Sequence, residues 1–284
     1  MLDGTYFNGW CVLVAYTGRH VIAWQWCDRE KHASWAALLQ QVPAPAVAVV
    51  DGHKGLESAL REHWPETHVQ RCLFHIRQNI RTHLTMRPKL EAGKELLALA
   101  KALTHVTDLD QAAAWSGEFA SWEARWEGFL KHRTYAKNNG ARPSHIGPAQ
   151  TWWYTHLGLR RARGTLATTM KARQLFTWLT SATDGQQIAR RTSPLEGGIN
   201  AGLKDLLRDH RGLSEHHATR AVDWYLYRHT ESPQDPWDLV KPHHWQPQKK
   251  KPVAGDTGIP ALYDTAFSPE DGNGIQQGWA GRRR

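Results

Sequence analysis

Ala46-Val47-Ala48-Val49-Val50, closed by Asp51-Gly52, is a continuous run of small and β-branched residues, and it constrains the fold more than any other segment. Apolar and polar residues do not alternate in it, so both faces of this strand must be covered, as in a sheet with helices on its two sides. The residues ahead of it supply the neighbours. Segments 2–7 and 10–16 read as strands joined by Asn8-Gly9, the pair that most readily takes the two positive-φ positions of a type I′ turn. Thr17-Gly18-Arg19 then turns the chain into a third strand over 20–27. Residues 32–41 carry Trp35, Leu38 and Leu39 on one side of a helix that stops before Pro43. A crossover helix at this place lets the 46–50 strand lie parallel beside the first strand, with a right-handed connection. A second helix over 55–64, with Leu56, Leu60 and Trp64 at helical spacing, leads to a fifth strand over 68–72.

Beyond about residue 74 the period changes. Trp115, Phe119, Trp122, Trp126 and Phe129 recur at steps of 4, 3, 4 and 3, one apolar helix stripe. Leu96, Leu97, Ala100 and Leu103 make a similar stripe upstream, and residues 166–179 make a third. The expected architecture is α/β. Residues 1–80 form the first part of a mixed sheet, three antiparallel strands followed by alternating helix and strand. Residues 81–190 form an all-helical insertion containing a loop over 138–148. Residues 191–232 return to the core through a helix to about 210 and another from Ser214 to about 229. Residues 233–284, rich in Pro, Gly, Gln and Lys, form a basic, disordered tail.

The chain has 36 Lys and Arg against 27 Asp and Glu, a net charge of +9 that favours a polyanionic partner. Between Glu127 and Asp184 there is no acidic residue, while Lys131, Arg133, Lys137, Arg142, Arg160, Arg161, Arg163, Lys171 and Arg173 fall in that stretch. Trp152-Trp153-Tyr154 stands among them. Cations interleaved with aromatics suit a nucleic-acid groove that also stacks bases, and Arg160, Arg161, Arg163, Lys171 and Arg173 are its candidate contacts. A solvated basic surface is the alternative. The three cysteines, Cys11, Cys27 and Cys72, are odd in number and follow no signal-like N-terminus, so a reducing, cytoplasmic compartment is expected. No apolar run reaches the roughly 18 residues of a membrane helix.

Three carboxylates stand at chemically useful places. Asp3 lies on the first strand, Asp51 at the carboxyl end of the fourth, and Glu196 at the start of a late helix. Adjacent strands run about 4.8 Å apart, so Asp3 and Asp51 could share divalent ions spaced about 3.5–4 Å apart. Each residue also has a plainer reading. Asp3 could be a solvated residue near a chain end, Asp51-Gly52 a turn, and Ser193-Pro194 with Glu196 a capping box. Asn200 and Lys204 follow Glu196 at i+4 and i+8 on one helix face, where they could position a scissile phosphate. Cys72 and His75 lack the partners of a Cys₂His₂ zinc site, which leaves a packing or hydrogen-bonding role beneath the carboxylates.

Four motifs in order carry a resemblance. They are Asp-Gly-Thr-Tyr at 3–6, Val-Asp-Gly-His-Lys-Gly-Leu at 50–56, Arg-Cys-Leu-Phe-His at 71–75 and Thr-Ser-Pro-Leu-Glu-Gly-Gly-Ile-Asn at 192–200. Together they resemble the DDE transposases of the mutator superfamily, bacterial insertion-sequence transposases related to Mutator-like elements. The resemblance implies a ribonuclease-H-like core interrupted by a helical insertion, which the 145-residue spacing from Asp51 to Glu196 accommodates. It implies Asp3, Asp51 and Glu196 as catalytic ligands of two Mg²⁺ or Mn²⁺ ions. It also implies DNA, as transposon ends and target, for the partner, a homo-oligomeric assembly at the bacterial nucleoid, and no membrane. Family members carry an N-terminal region that recognises element ends, and Asp3 stands only two residues after Met1, so the expectation is an N-terminally truncated transposase. The alternatives are an inactive remnant that binds DNA or full-length transposase, and a stand-alone ribonuclease-H-like nuclease.

Overall fold

Five strands form one mixed sheet in the order β3-β2-β1-β4-β5. The structure is a computed structural model, and it describes residues 1–7, 9–138, 143, 146–180 and 188–242. β1 (Leu2–Phe7), β2 (Trp10–Tyr16) and β3 (Val21–Cys27) make the antiparallel meander. Gly9 takes a φ of 97° in the first turn, while Asn8 lies outside the described residues. α1 (His32–Leu39) then carries the chain across to β4 (Val47–Val50), which pairs parallel to β1, and α2 (Lys54–His63) leads to β5 (His68–Arg71), parallel to β4. The fifth strand stops one residue short of the expected 68–72, because Cys72 caps the following helix.

Both sheet faces are covered, as the unbroken apolar run requires. On one face Leu2, Cys11, Leu13 and Ala15 pack with Trp35, Leu38, Leu39, Leu56 and Leu60 of α1 and α2. On the other, Val12, Val14 and Val21 pack with Leu195, Ile199, Leu203, Val222 and Leu226 from the late helices. Each buried Val, Leu or Ile among them contributes roughly 1.5–3 kcal/mol.

The middle of the chain is helical with one exception. α3 (Leu73–Leu84), α4 (Glu91–Ala102), α5 (Leu109–Leu130) and α6 (Leu157–Lys171) share a single core. The tryptophan stripe of α5 behaves as its spacing predicts: Trp115, Phe119 and Trp122 are buried in stacked rings, with centroids 5.7 and 6.2 Å apart. Their indole nitrogens are satisfied, Trp115 donating to the Leu99 carbonyl (2.9 Å) and Trp122 to that of Ala92 (3.1 Å). The insertion is not all-helical, however. β6 (Arg133–Tyr135) and β7 (Trp152–Tyr154) form an antiparallel pair, because these Thr- and aromatic-rich triplets favour a pleated surface and pair Thr134 with Trp153. Most of the loop expected over 138–148 lies outside the described residues.

Nor does the third stripe run to 179 as one helix. α6 ends at Lys171, Arg173 turns the chain at a φ of 57°, and only a single 3₁₀ turn follows over Thr177–Leu179. There the Thr177 hydroxyl donates to the Val69 carbonyl (2.7 Å) and the Gln70 amide to that of Leu175 (3.1 Å), fastening the insertion to β5.

The late helix is likewise interrupted. Leu195–Asn200 is a π-helix, followed by α7 (Ala201–Asp209) and α8 (Glu215–Arg228), the latter capped by Ser214 through the His217 amide. α8 is held to β3 by Asp223, whose Oδ1 accepts from the indoles of Trp24 and Trp26, both at 2.8 Å. A second unit begins at Gln234. The segment expected to be a disordered tail opens with α9 (Pro236–Leu239), a short turn capped by Asp235; residues 243–284 lie outside the described residues. Among the described residues, no helix is long and apolar enough to cross a membrane.

Candidate active site

The parallel pairing of Leu2 with Val50 sets the site. One residue further on each strand stand Asp3 and Asp51, on neighbouring backbones and on the face turned to the late helices. The π-helix closes over them: the Asn200 side-chain amide donates to Asp3 Oδ2 at 2.7 Å, which brings Glu196, one turn earlier, to the same place. Burial raises the Asp3 carboxyl to about 7, and the negative charges of Glu196, Asp51 and Glu30 push in the same direction while His75 opposes them.

Asp51 is held by its backbone. Its Oδ1 accepts from the His53 amide (2.8 Å), closing a tight turn through Gly52, whose φ is 93°. Arg71 at the end of β5 donates to the Asp51 carbonyl (3.0 Å) and to Glu57 (2.8 Å). A Cβ on Gly52 would fall inside that guanidinium, so glycine is required there both for its conformation and for its missing side chain.

Cys72 and His75 sit directly behind Glu196. The buried Cys72 sulfur accepts from the amide of Thr192 (3.3 Å) and lies 3.3 Å from its hydroxyl oxygen. The Thr192 hydroxyl also donates to Glu196 Oε1, and His75 Nδ1 lies 3.7 Å from that same oxygen. The hydrogen bond that the His75 ring donates to Cys72 raises His75 to about 9 against the effect of burial. Burial works to raise the Cys72 thiol, but the hydrogen bonds from His75 and Thr192 outweigh it and bring the thiol below its ordinary value. The expected capping box is thus shifted: Thr192, not Ser193, pairs with the glutamate, and no side chain caps the π-helix itself.

One group of ligand atoms converges at Glu196 among the described residues. Cys72, His75 and Glu196 offer ligand atoms within 4.8 Å of one another, a mixed set of soft sulfur, borderline imidazole and hard carboxylate oxygen. Asp3, Asp51 and Glu196 offer oxygen alone, and beside them the Oδ1 of Asn200 is buried without a hydrogen-bond partner. All-oxygen donors fit Mg²⁺ or Mn²⁺.

The residues singled out around this triad separate on inspection. Asn200 is 2% exposed and spends its amide on Asp3, whereas Lys204 is exposed. The π winding bonds residues five apart, so a four-residue spacing no longer defines a shared face. Glu30, which the sequence reading missed, belongs to this neighbourhood: burial raises its carboxyl, and Asp51 is the next cause. The available signal was Gly4, a glycine inside a strand, which marks close approach of another group.

The basic stretch is less open than its sequence suggests. Arg160 donates to the Leu130 carbonyl (2.8 Å) and lies 3.5 Å over the Tyr154 ring, and Arg133 lies 4.1 Å over Trp152. Arg163 is paired with Glu123 of α5. Arg161, Lys171 and Arg173 are exposed. A stretch without acidic residues is not a surface without them, because α5 brings its own.

Comparison with known proteins adds a family. Residues 11–138 match the family described as transposase, Mutator family, a segment that contains Glu30, Asp51, Cys72 and His75, with Asp3 and Glu196 outside it. The chain is 38% identical over 89 residues to the transposase for insertion sequence element IS6120 of Mycolicibacterium smegmatis, 30% of this chain and 26% of that protein. It is 27% identical over 143 residues to the transposase for insertion sequence element IS905 of Lactococcus lactis, 44% of this chain and 36% of that one. With the transposase for insertion sequence element IST2 of Acidithiobacillus ferrooxidans it shares 39% over 77 residues, a quarter of each. The match thus spans about a quarter to a third of the length of these relatives.

Proposed function

We propose, on the premise that this chain belongs through residues 11–138 to the Mutator family of transposases, that it carries the catalytic site for divalent-ion-dependent cleavage and strand transfer of DNA. The observation that carries this reading is the Leu2–Val50 register, which sets Asp3 beside Asp51 while Asn200 ties the Glu196 segment to Asp3. The mixed sheet, with α1 crossing from β3 to a β4 parallel to β1, supports a ribonuclease-H-like core.

In this reading Asp3, Asp51 and Glu196 hold Mg²⁺ or Mn²⁺, which when bound makes a water or a DNA 3′-hydroxyl nucleophilic and stabilises the leaving oxygen. The remaining work is the protein's. Asn200 orients the Asp3 carboxylate, Arg71 fixes the Asp51 backbone, and the Cys72, His75 and Thr192 group orients Glu196 from behind. Exposed Arg161, Lys171 and Arg173 neutralise phosphates and position the duplex without reading its sequence. The free cysteines agree with action in the reducing cytoplasm, at the nucleoid. Assembly as a homo-oligomer on transposon ends and target belongs to the same reading.

The test is nicking of supercoiled plasmid and joining of a 3′-hydroxyl oligonucleotide by the chain in Mn²⁺ or Mg²⁺. Asp51→Asn and Glu196→Gln are expected to lose more than about 100-fold, beyond the loss from an outer partner of a metal ligand. Nicking that persists in EDTA, or in Asp51→Asn, overturns the assignment.

A further inference from the structure

The Cys72 and His75 motif finds in space the partner it lacks in sequence. Cys72 is the N-cap of α3 and His75 stands three residues on, so the thiol and the imidazole sit at the same end of one helix. Two intervening residues is a spacing that recurs in pairs of metal ligands. Glu196, more than a hundred residues later, brings a third donor from the π-helix, its Oε1 3.7 Å from His75 Nδ1. Sulfur, ring nitrogen and carboxylate oxygen all lie within 4.8 Å of one another.

Distances and chemistry agree on what such a group can hold. Ligand atoms about 2.0–2.3 Å from a tetrahedral Zn²⁺ stand about 3.3–3.8 Å apart. The separation of His75 from Glu196 already falls in that range, and rotation of side chains through about 1 Å closes the rest. Cys72 is fully buried, and its sulfur accepts the Thr192 amide at 3.3 Å, an outer contact of the kind that orients a ligand. His75 and Glu196 are about a quarter exposed, which leaves an ion a way in. Mg²⁺ and Mn²⁺ prefer oxygen donors, whereas thiolate with imidazole and one carboxylate suits Zn²⁺.

We propose that Cys72, His75 and Glu196 form a Zn²⁺ site behind the carboxylate triad, with three protein ligands and a fourth position open. Such an ion ties the start of α3 to the π-helix. The proposal stands on this geometry whether or not the triad binds Mg²⁺ or Mn²⁺. The experiment is titration of the intact, reduced chain with Co²⁺ as a spectroscopic substitute for Zn²⁺, following the thiolate-to-cobalt charge-transfer absorption. One equivalent is expected to saturate the band, Zn²⁺ to bleach it, and excess Mg²⁺ to leave it. Cys72→Ser should abolish it, while His75→Gln and Glu196→Gln should each weaken Co²⁺ binding more than about 100-fold, beyond the loss from an outer partner. No band in the wild-type chain overturns the proposal and leaves a cluster joined by hydrogen bonds alone. A band undiminished in Cys72→Ser overturns it too, since the sulfur is then Cys11 or Cys27. If Cys72→Ser does not fold, His75→Gln decides, and unchanged Co²⁺ affinity overturns the site. Asp51→Asn should keep the band, and losing it there would assign the ion to the triad instead. A chain that shows the band but never nicks DNA in Mg²⁺ overturns the catalytic reading and leaves this site standing.

Discussion

The carboxylate cleft and the arginine–aromatic hairpin handle charge in opposite ways. At the cleft, like charges are gathered from β1, the Asp51 turn and the π-helix, and burial first, then the charges of Glu196 and Asp51, raises the Asp3 carboxyl to about 7. At the hairpin, opposite charges and ring faces are matched within the chain: Arg160 with a carbonyl and Tyr154, Arg133 with Trp152, Arg163 with Glu123. A region already satisfied by its own atoms has little left for a ligand. A region held together against its own repulsion is arranged for something with the opposite charge.

The contrast is sharpest in pH. In the ion-free folded chain Asp3 binds its proton up to about 7, against an ordinary value of 3.8, so stability falls as pH rises across that window. His75, raised from 6.5 to about 9, adds stability that is full below its ordinary value and lost as pH rises through about 9. Each unit is worth about 1.4 kcal/mol. Thermal midpoints in EDTA should therefore decline from pH 4 to 10 in two legs, and Asp3→Asn should remove the lower leg. A wild-type profile that rises between pH 4 and 7 breaks the account of the cleft.

A smaller effect separates neighbours at the hairpin. Arg160→Ala is expected to cost about 1–3 kcal/mol, since it removes both a charged hydrogen bond and the stacking of the guanidinium on Tyr154. Arg161→Ala should stay within about 0.5 kcal/mol. Equal destabilisation by the two in urea melts would show that the internal pairing is not what holds Arg160. Smallest of all, Arg161, Lys171 and Arg173 changed singly to Ala should each lower the slope of log affinity for DNA against log salt by about 1. An unchanged slope for all three moves the phosphate path elsewhere.

Much of this was legible in the chain. The apolar 46–50 run, buried from Ala48 to Val50, the Asn8-Gly9 turn signal and the α5 stripe follow from local periodicity, and the observed strands and helices of the first 72 residues lie within a residue or two of the expected bounds. Asp3 and Asp51 were readable because a parallel β4 beside β1 leaves few registers. What escaped depends on contacts distant in sequence. The β6–β7 pair is made of triplets too short to show a period, and Glu123 meets Arg163 only because α5 folds back across α6. Glu30 sits among ordinary surface residues in sequence, and its position shows only in the close approach of Gly4.

The π-helix at Leu195–Asn200 has a consequence for how this site tolerates change. Its wider winding holds one residue more than an α-turn would, and one residue of α-helix corresponds to about 100° of rotation. Gly197 and Gly198 meet nothing within 4 Å of a built Cβ, so side chains of modest size fit there. Losing either residue outright is another matter: α7 could stay docked through the buried Leu203 while Glu196 swings out of phase with Asp3. The third carboxylate is aimed by angular phase, and for this helix the length of six residues matters more than the identity of several of them.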